Sequence, residues 1–252
     1  MHKPAPLKAL ELDENLARAH HALADYYWLY EWDWAGAEAE FKRALGINPN
    51  LGGIRVDYSH YLMTMKRPEE GMAEIQHALE LDPLNEVIQA FYGVDLEISG
   101  RYDEAIVQYR KALRTSPRLP FAHWRLSVVL FMKGLENESM AEMKAYYTGD
   151  HGMEEALTQG YAQSGYRGAM KRAADTLAAR DRNSYVLPTD VAGLWMRAGN
   201  KAQALEWLEK GEEVRDPNMP YISVLPTYNP LRSDPRFQEL MRRMNLPADV
   251  KK

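Results

Sequence analysis

The chain has 252 residues, 46% of them apolar and 27% charged, which is ordinary for a protein with a sizeable buried core. Its net charge of −5 is evenly spread and gives no electrostatic case for nucleic acid or a membrane as partner. The absence of cysteine excludes disulfide frameworks, thiolate metal sites and Cys nucleophiles. No run of about 18 apolar residues is present to span a bilayer, and the start, MHKPAPLKALELDENL, lacks the apolar core of a signal peptide. A cytoplasmic location is the expectation.

Prolines at 49, 83 and 117 recur at an interval of 34 residues, and they close three similar stretches, AEFKRALGINP, AEIQHALELDP and VQYRKALRTSP. The spacing suits an antiparallel helix pair. Small residues such as Ala44, Ala78, Ala105 and Ala112 let two helices approach, while Tyr92, Leu96 and Tyr109 fill the space beside the contact. Pro cannot continue a helix and turns the residue before it away from the α region, so Asp82-Pro83 and Ser116-Pro117 each end one unit and open the next.

In chain order, Leu7 to Glu14 reads as the tail of a second helix, with Glu14 where the closing Pro is expected. It is either the remnant of a preceding repeat in a longer protein or an N-terminal cap. The first whole repeat spans Ala17 to Asn50, with His20, Leu23, Ala24 and Tyr27 on the inner face of its first helix. A one-residue insertion is expected at the helix turn within residues 28–34. The second, Gly52 to Leu84, has Lys66 in place of the turn glycine and Gly71 where alanine is usual, which predicts a looser pair. The third, Glu86 to Arg118, contains GRYDEAIVQYRKALRTSP and is the most regular; Asp103 and Glu104 suit a helix N-terminus. The fourth, Pro120 to Tyr147, keeps Leu126, Ser127, Leu130 and Gly134. Two further pairs are inferred around Gly165 and Gly199.

Four prolines in residues 216–234 exclude a long helix there and predict either an ordered cover or an element not yet recognised. Phe237, Leu240, Met241 and Met244 then form one apolar stripe, as a capping helix requires. The resulting division is 1–16, a tail or cap; 17–148, four repeats; 149–215, two degenerate pairs; and 216–252, the Pro-rich loop and capping helix.

The 34-residue period and the Ala-Leu ending before each Pro resemble the tetratricopeptide (TPR) repeat. The resemblance is specific for residues 17–134. It implies an all-α, right-handed superhelical solenoid of about six helix-turn-helix repeats with a capping helix. At a finer level EWDWAGAEAEFKRAL, HALELDPLN, NKAQALEWLEK and NPLRSDPRFQELMRRMNLP resemble the C-terminal repeat regions of bacterial multidomain signalling proteins. There such repeats follow a winged-helix, nucleotide-cyclase or protein-kinase domain.

The resemblance also implies a concave groove, lined by first helices, that holds a peptide or helix of a protein partner. Its positions fall on Arg18, His21, Asp25 and Trp28 in the first repeat and on Val56, Asp57, His60 and Met63 in the second. In the third they fall on Val87, Ala90 and Val94, and in the fourth on Phe121, Trp124, Val128 and Phe131. Such aromatics are anchors for an apolar partner segment, or they pack Trp124 and Phe131 against the neighbouring repeat. The Lys and Asn with which chaperone-type TPR domains hold a terminal carboxylate are absent from these positions.

His21, Asp25, Asp57 and His60 could in principle gather around zinc, but a hydrogen-bonded polar patch explains them as well, and neither a metal nor a cofactor is expected. Residues 160–165, GYAQSG, lack the Lys-Ser/Thr of a P-loop, and no Gly-x-Ser-x-Gly or His-Glu-x-x-His occurs. The expectation is a non-catalytic interaction scaffold, with a self-associating sensory segment of a larger effector as the alternative.

Overall fold

The computed structural model describes residues 5–181 and 185–247, and all regular structure within them is helical. Helix α1 (Ala5–Leu12) packs on α2 (Ala17–Tyr26), which pairs with α3 (Trp34–Ile47). The pairs α4 (Gly52–Thr64) with α5 (Pro68–Leu81), α6 (Glu86–Ile98) with α7 (Tyr102–Thr115), and α8 (Pro120–Met132) with α9 (Glu136–Tyr146) follow. Next come α10 (His151–Arg180), α11 (Pro188–Ala198), α12 (Lys201–Glu213), two 3-10 turns at Met219–Ser223 and Pro226–Leu231, and α13 (Pro235–Arg243).

Helix α10 is itself a hairpin. Ser164 and Gly165 leave helical geometry, Gly165 at φ +62°, and Arg180 reaches back to Asp150 with bonds of 2.5 and 2.6 Å. Thirty residues of straight helix would hold those two about 45 Å apart. The halves, residues 151–163 and 166–180, touch through Gly160 and Gly168, where a Cβ on either would fall on the backbone of the other. With this hairpin and α11/α12, the described residues hold six helix pairs in an α-solenoid, closed by α13, whose Phe237 and Leu240 are buried.

The repeat residues do what their sizes predict. Ala44, Ala78, Ala105, Tyr109 and Ala112 are all fully buried. The expected insertion in the first repeat takes a specific form. Residues Tyr27–Glu31 make a π-helical turn at the end of α2, the usual way for a helix to absorb one extra residue, and Trp32 then ends it at φ +60°. Lys66 occupies the left-handed turn position at φ +59° that Gly100 and Gly134 fill in the next two repeats. The looser second pair is a correction: a Cβ on Gly71 would stand 2.9 Å from the Ser59 carbonyl, so the missing methyl lets α4 and α5 approach more closely.

Capping is local and legible. Asp33, Asn85, Asp150, Asn200 and Asp234 each accept a backbone N–H at the start of their helices. Leu187 at the same place in α11 cannot, and a distant residue substitutes. The Asp216 carboxylate, buried, accepts both Thr189 N and Thr189 Oγ1 at 2.8 Å and also Asn218 N at 2.9 Å. That cluster ties the start of the Pro-rich segment to α11.

Replacing Gly160 with alanine should cost about 1–3 kcal/mol, because backbone rather than a flexible side chain would have to move. Gly53→Ala, in α4 with open space around it, should be neutral or stabilising by up to about 1 kcal/mol. Urea unfolding of the two variants tests the pairing of the α10 halves; equal effects would contradict it.

Candidate functional site

The concave face carries the same two positions of successive first helices. Asp57, Phe91 and Arg125 stand 34 residues apart, as do His60, Val94 and Val128, and all six line one cavity of about 510 Å³. Phe121 and Trp124 join them from α8, a helical turn apart, while Asp25, Trp28 and Leu29 join from α2 and its π extension. The far wall is Thr189, Asp190 and Gly193 of α11 with Tyr146 from the end of α9.

The roof is the Pro-rich segment. Its prolines preclude α-helix and fix 3-10 turns, and Tyr221, Leu225, Thr227 and Tyr228 point into the concave space. The Tyr221 hydroxyl meets His60 Nδ1 at 2.9 Å, and its ring lies 5.6 Å from both Trp28 and His60. The other nitrogen of His60 faces the Phe91 carbonyl at 3.3 Å and buried Asp95 at 3.4 Å. Tyr228 donates to the Thr189 carbonyl at 3.3 Å. The segment is therefore the ordered cover.

Sequence-predicted groove residues divide by where the helices place them. Asp25, Trp28, Asp57, His60, Val94, Phe121, Trp124 and Val128 come together around the cavity. Val56, Met63 and Ala90 are instead buried, Val56 with Ile75, Ala78 and Ile88, and Ala90 in the core of the third repeat. One residue along a helix is a rotation of about 100°, which is enough to carry Ala90 into the helix pair while its neighbour Phe91 faces the groove. Val87 and Arg18 are exposed away from the cavity, and His21 sits behind Asp57. Phe131 stacks on Tyr166 of the next helix hairpin, with centroids 5.0 Å apart and planes 7° apart, so it is a packing residue. Trp124 has both roles: it lines the cavity and also carries the Arg197 guanidinium 4.8 Å from its ring.

The four candidate metal-binding residues do not converge. His60 is engaged by Tyr221 and Phe91, leaving donor atoms of His21, Asp25 and Asp57 within 4.8 Å of one another. His21 Nε2 lies 2.7 Å from Asp57 and 3.5 Å from Asp25, the geometry of a direct hydrogen bond and ion pair. Burial disfavours the imidazolium, but the bond to Asp57 and the charges of Asp25 and Asp57 outweigh it and raise the His21 pKa.

Charge elsewhere in the cavity is unevenly answered. Arg125, the sole Lys or Arg in the lining among the described residues, is ion-paired with buried Glu97 at 2.6 Å. Glu97 also accepts from Tyr109 at 3.2 Å. Asp190 has no side-chain hydrogen bond or ion pair among the described residues. Its burial and the like charge of Asp216, against weaker help from Arg197 and Arg125, push its pKa up to about 7. Asp25 is likewise raised to about 7, by burial and by Asp57, and its Oδ1 is shut from solvent with no hydrogen-bond donor.

Phe91, Arg125, Tyr146, Thr189, Asp190, Tyr221 and Tyr228 belong to the lining and were not read from the sequence. For Phe91 and Arg125 the signal was present, since each lies 34 residues from a lining residue. For Tyr221 and Tyr228 no local pattern gives the position, because a Pro-rich segment's docking place depends on the surface it meets.

Residues 98–134 match the family model described as TPR repeat. Among solved structures, the chain is similar to the type IV pilus biogenesis factor PilW, at 22% identity and a TM-score of 0.56, covering 71% of this chain and 82% of that one. It is also similar to PilF of Pseudomonas aeruginosa, at 16% identity and a TM-score of 0.56, covering 92% of this chain and 98% of that one. Cut9–Hcn1 of the APC/C hetero-tetramer gives 14% identity and a TM-score of 0.57, over 95% of this chain and 44% of that one. No curated protein sequence matches the chain. The family match, the period and the helix pairs together make the fold a TPR α-solenoid. Among the described residues no helix is long and apolar enough to cross a membrane.

The unpaired state of Asp190 has a pH signature. Its folded pKa is raised, so the native state keeps a proton that the unfolded chain releases. The stability this contributes is full below about pH 4 and is lost as pH rises to about 7. Asp190→Asn, with no proton to lose, should gain on the wild type by on the order of 1–3 kcal/mol between pH 5 and pH 8. Urea unfolding of both proteins at the two pH values measures it; a constant difference would show that Asp190 ionises normally.

Proposed function

We propose that this chain is a non-catalytic protein-interaction module that grips a short partner segment through apolar and aromatic anchors, inserted between the first helices and the Pro-rich cover. A TPR fold is by nature a scaffold for protein–protein contact. The observation that carries the finer reading is the cavity itself, where Phe91, Phe121 and Trp124 are only half-buried and face open space. Half-buried aromatics around a partly filled concavity are the usual anchor-receiving surface.

The cavity of about 510 Å³ beneath the cover has room for inserted side chains. The partner is accordingly a segment with two or three inserted side chains. The proposal places the module in a bacterial cytoplasmic signalling or transcription-regulating protein, on the likeness of its repeats to such C-terminal regions.

A second reading, self-association, is favoured by α1, which has no buried residue and leaves Leu12 90% exposed. Sedimentation across a hundredfold concentration range separates the two; a constant monomer removes this second reading.

For the first, phage-displayed random peptides panned on the full chain should yield binders whose affinity falls at least tenfold on Phe91→Ala or Phe121→Ala, by fluorescence anisotropy, with helicity unchanged. Binders indifferent to both substitutions would overturn the groove assignment.

A further inference from the structure

The cavity's charges point to one ligand chemistry. Among the described residues its lining includes three carboxylates, Asp25, Asp57 and Asp190, and two basic side chains, Arg125, paired with Glu97 at 2.6 Å, and His60, engaged by the Tyr221 hydroxyl and buried Asp95. Arg197 is buried behind the Trp124 ring and lies outside the lining. Asp57 and one oxygen of Asp25 are answered by His21, whereas Asp190 has no hydrogen-bond or ion-pair partner among the described residues and Asp25 Oδ1 is buried without a donor. An anion entering here would meet like charge at Asp190 that Arg197 and Arg125 offset only in part.

The rest of the wall is aromatic. Trp28, Phe91, Phe121, Trp124, Tyr146 and Tyr228 supply six aromatic rings to it. A carboxylate without a counter-charge is costly in such surroundings, and a cation is attracted by both the carboxylate and the ring faces. A metal ion does not suit the unpaired groups, because Asp190 stands outside the His21, Asp25 and Asp57 cluster. An organic cation with an apolar body fits both halves of the lining.

We infer that the cavity recognises a primary alkylammonium group joined to an apolar or aromatic body, with Asp190 as its counter-ion and Asp25 adding to the negative potential of the wall. This rests on the reading of the concave face as the recognition surface and names the chemistry of what enters it. Such a group can come from a lysine side chain of the partner segment or from a free amine.

Titration calorimetry of the full chain with phenethylammonium and with the neutral 2-phenylethanol tests the charge. A blocked Phe-Lys-Phe peptide and its norleucine analogue test the source. Saturable binding of either cation, at least tenfold tighter than its neutral counterpart, is expected. Binding by phenethylammonium identifies a free amine as a competent ligand; binding by the lysine peptide alone identifies a partner side chain. Asp190→Asn should abolish the preference for the cation and leave the neutral compound unchanged, and Asp190→Glu should restore part of it. If Asp190→Asn does not fold, Asp25→Asn should lower the preference in the same direction. Neutral compounds binding as well as cations would overturn the inference while leaving the apolar groove standing, and so would an unchanged preference in the folded Asp190→Asn protein. Absence of binding by all four probes would overturn it as well. Cation binding through Asp190 beside panned peptides indifferent to Phe91 and Phe121 would instead remove the anchor reading and keep this one.

Discussion

One hydrogen bond, from the Tyr221 hydroxyl to His60 Nδ1, joins parts of the chain 161 residues apart and decides what the concave face can be. Without the segment that Tyr221 belongs to, the first helices would present an open trough. With it, they enclose a cavity. The bond works together with the Asp216 carboxylate, which replaces the missing cap of α11 and so fixes the segment at its other end. Between those two points the prolines limit the backbone's alternatives, which lowers the entropy cost of holding it there.

Charge is placed at a cost in this region. Glu97 and Arg125 are both buried, and such a pair seldom stabilises more than apolar packing of the same shape would. Arg197 is almost wholly buried, donates to Ser127 Oγ at 3.1 Å, and leaves Nε and Nη2 unbonded. Glu97 accepts from the core residue Tyr109, and the Arg197 guanidinium lies against the ring of Trp124.

The fold was largely legible because its determinants are local and periodic. Pro49, Pro83 and Pro117 set the register, the small residues at 44, 78 and 112 mark the helix contacts, and Gly165 and Gly199 mark turns with positive φ. The site was half legible. Of the positions named in the fourth repeat, Phe121, Trp124 and Val128 line the cavity and Phe131 does not, while Val56 and Ala90 lie one helical step before Asp57 and Phe91, a rotation that exchanges groove for core. Applying the 34-residue interval to Asp57 would have found Phe91 and Arg125. The roof was not legible in its position, since the docking of Tyr221 and Tyr228 depends on tertiary surfaces formed by helices far away in sequence.

The central claim is that a ligand enters between Trp28 and Trp124, under the cover. Labelling the six tryptophans with 5-fluorotryptophan, and assigning them by single Trp→Phe replacements, gives a direct view by fluorine NMR. Adding a bound peptide or alkylammonium ion should shift the Trp28 and Trp124 signals and leave Trp207, which lies outside the cavity lining, unmoved. Shifts at Trp207 with Trp28 and Trp124 unchanged would contradict the account.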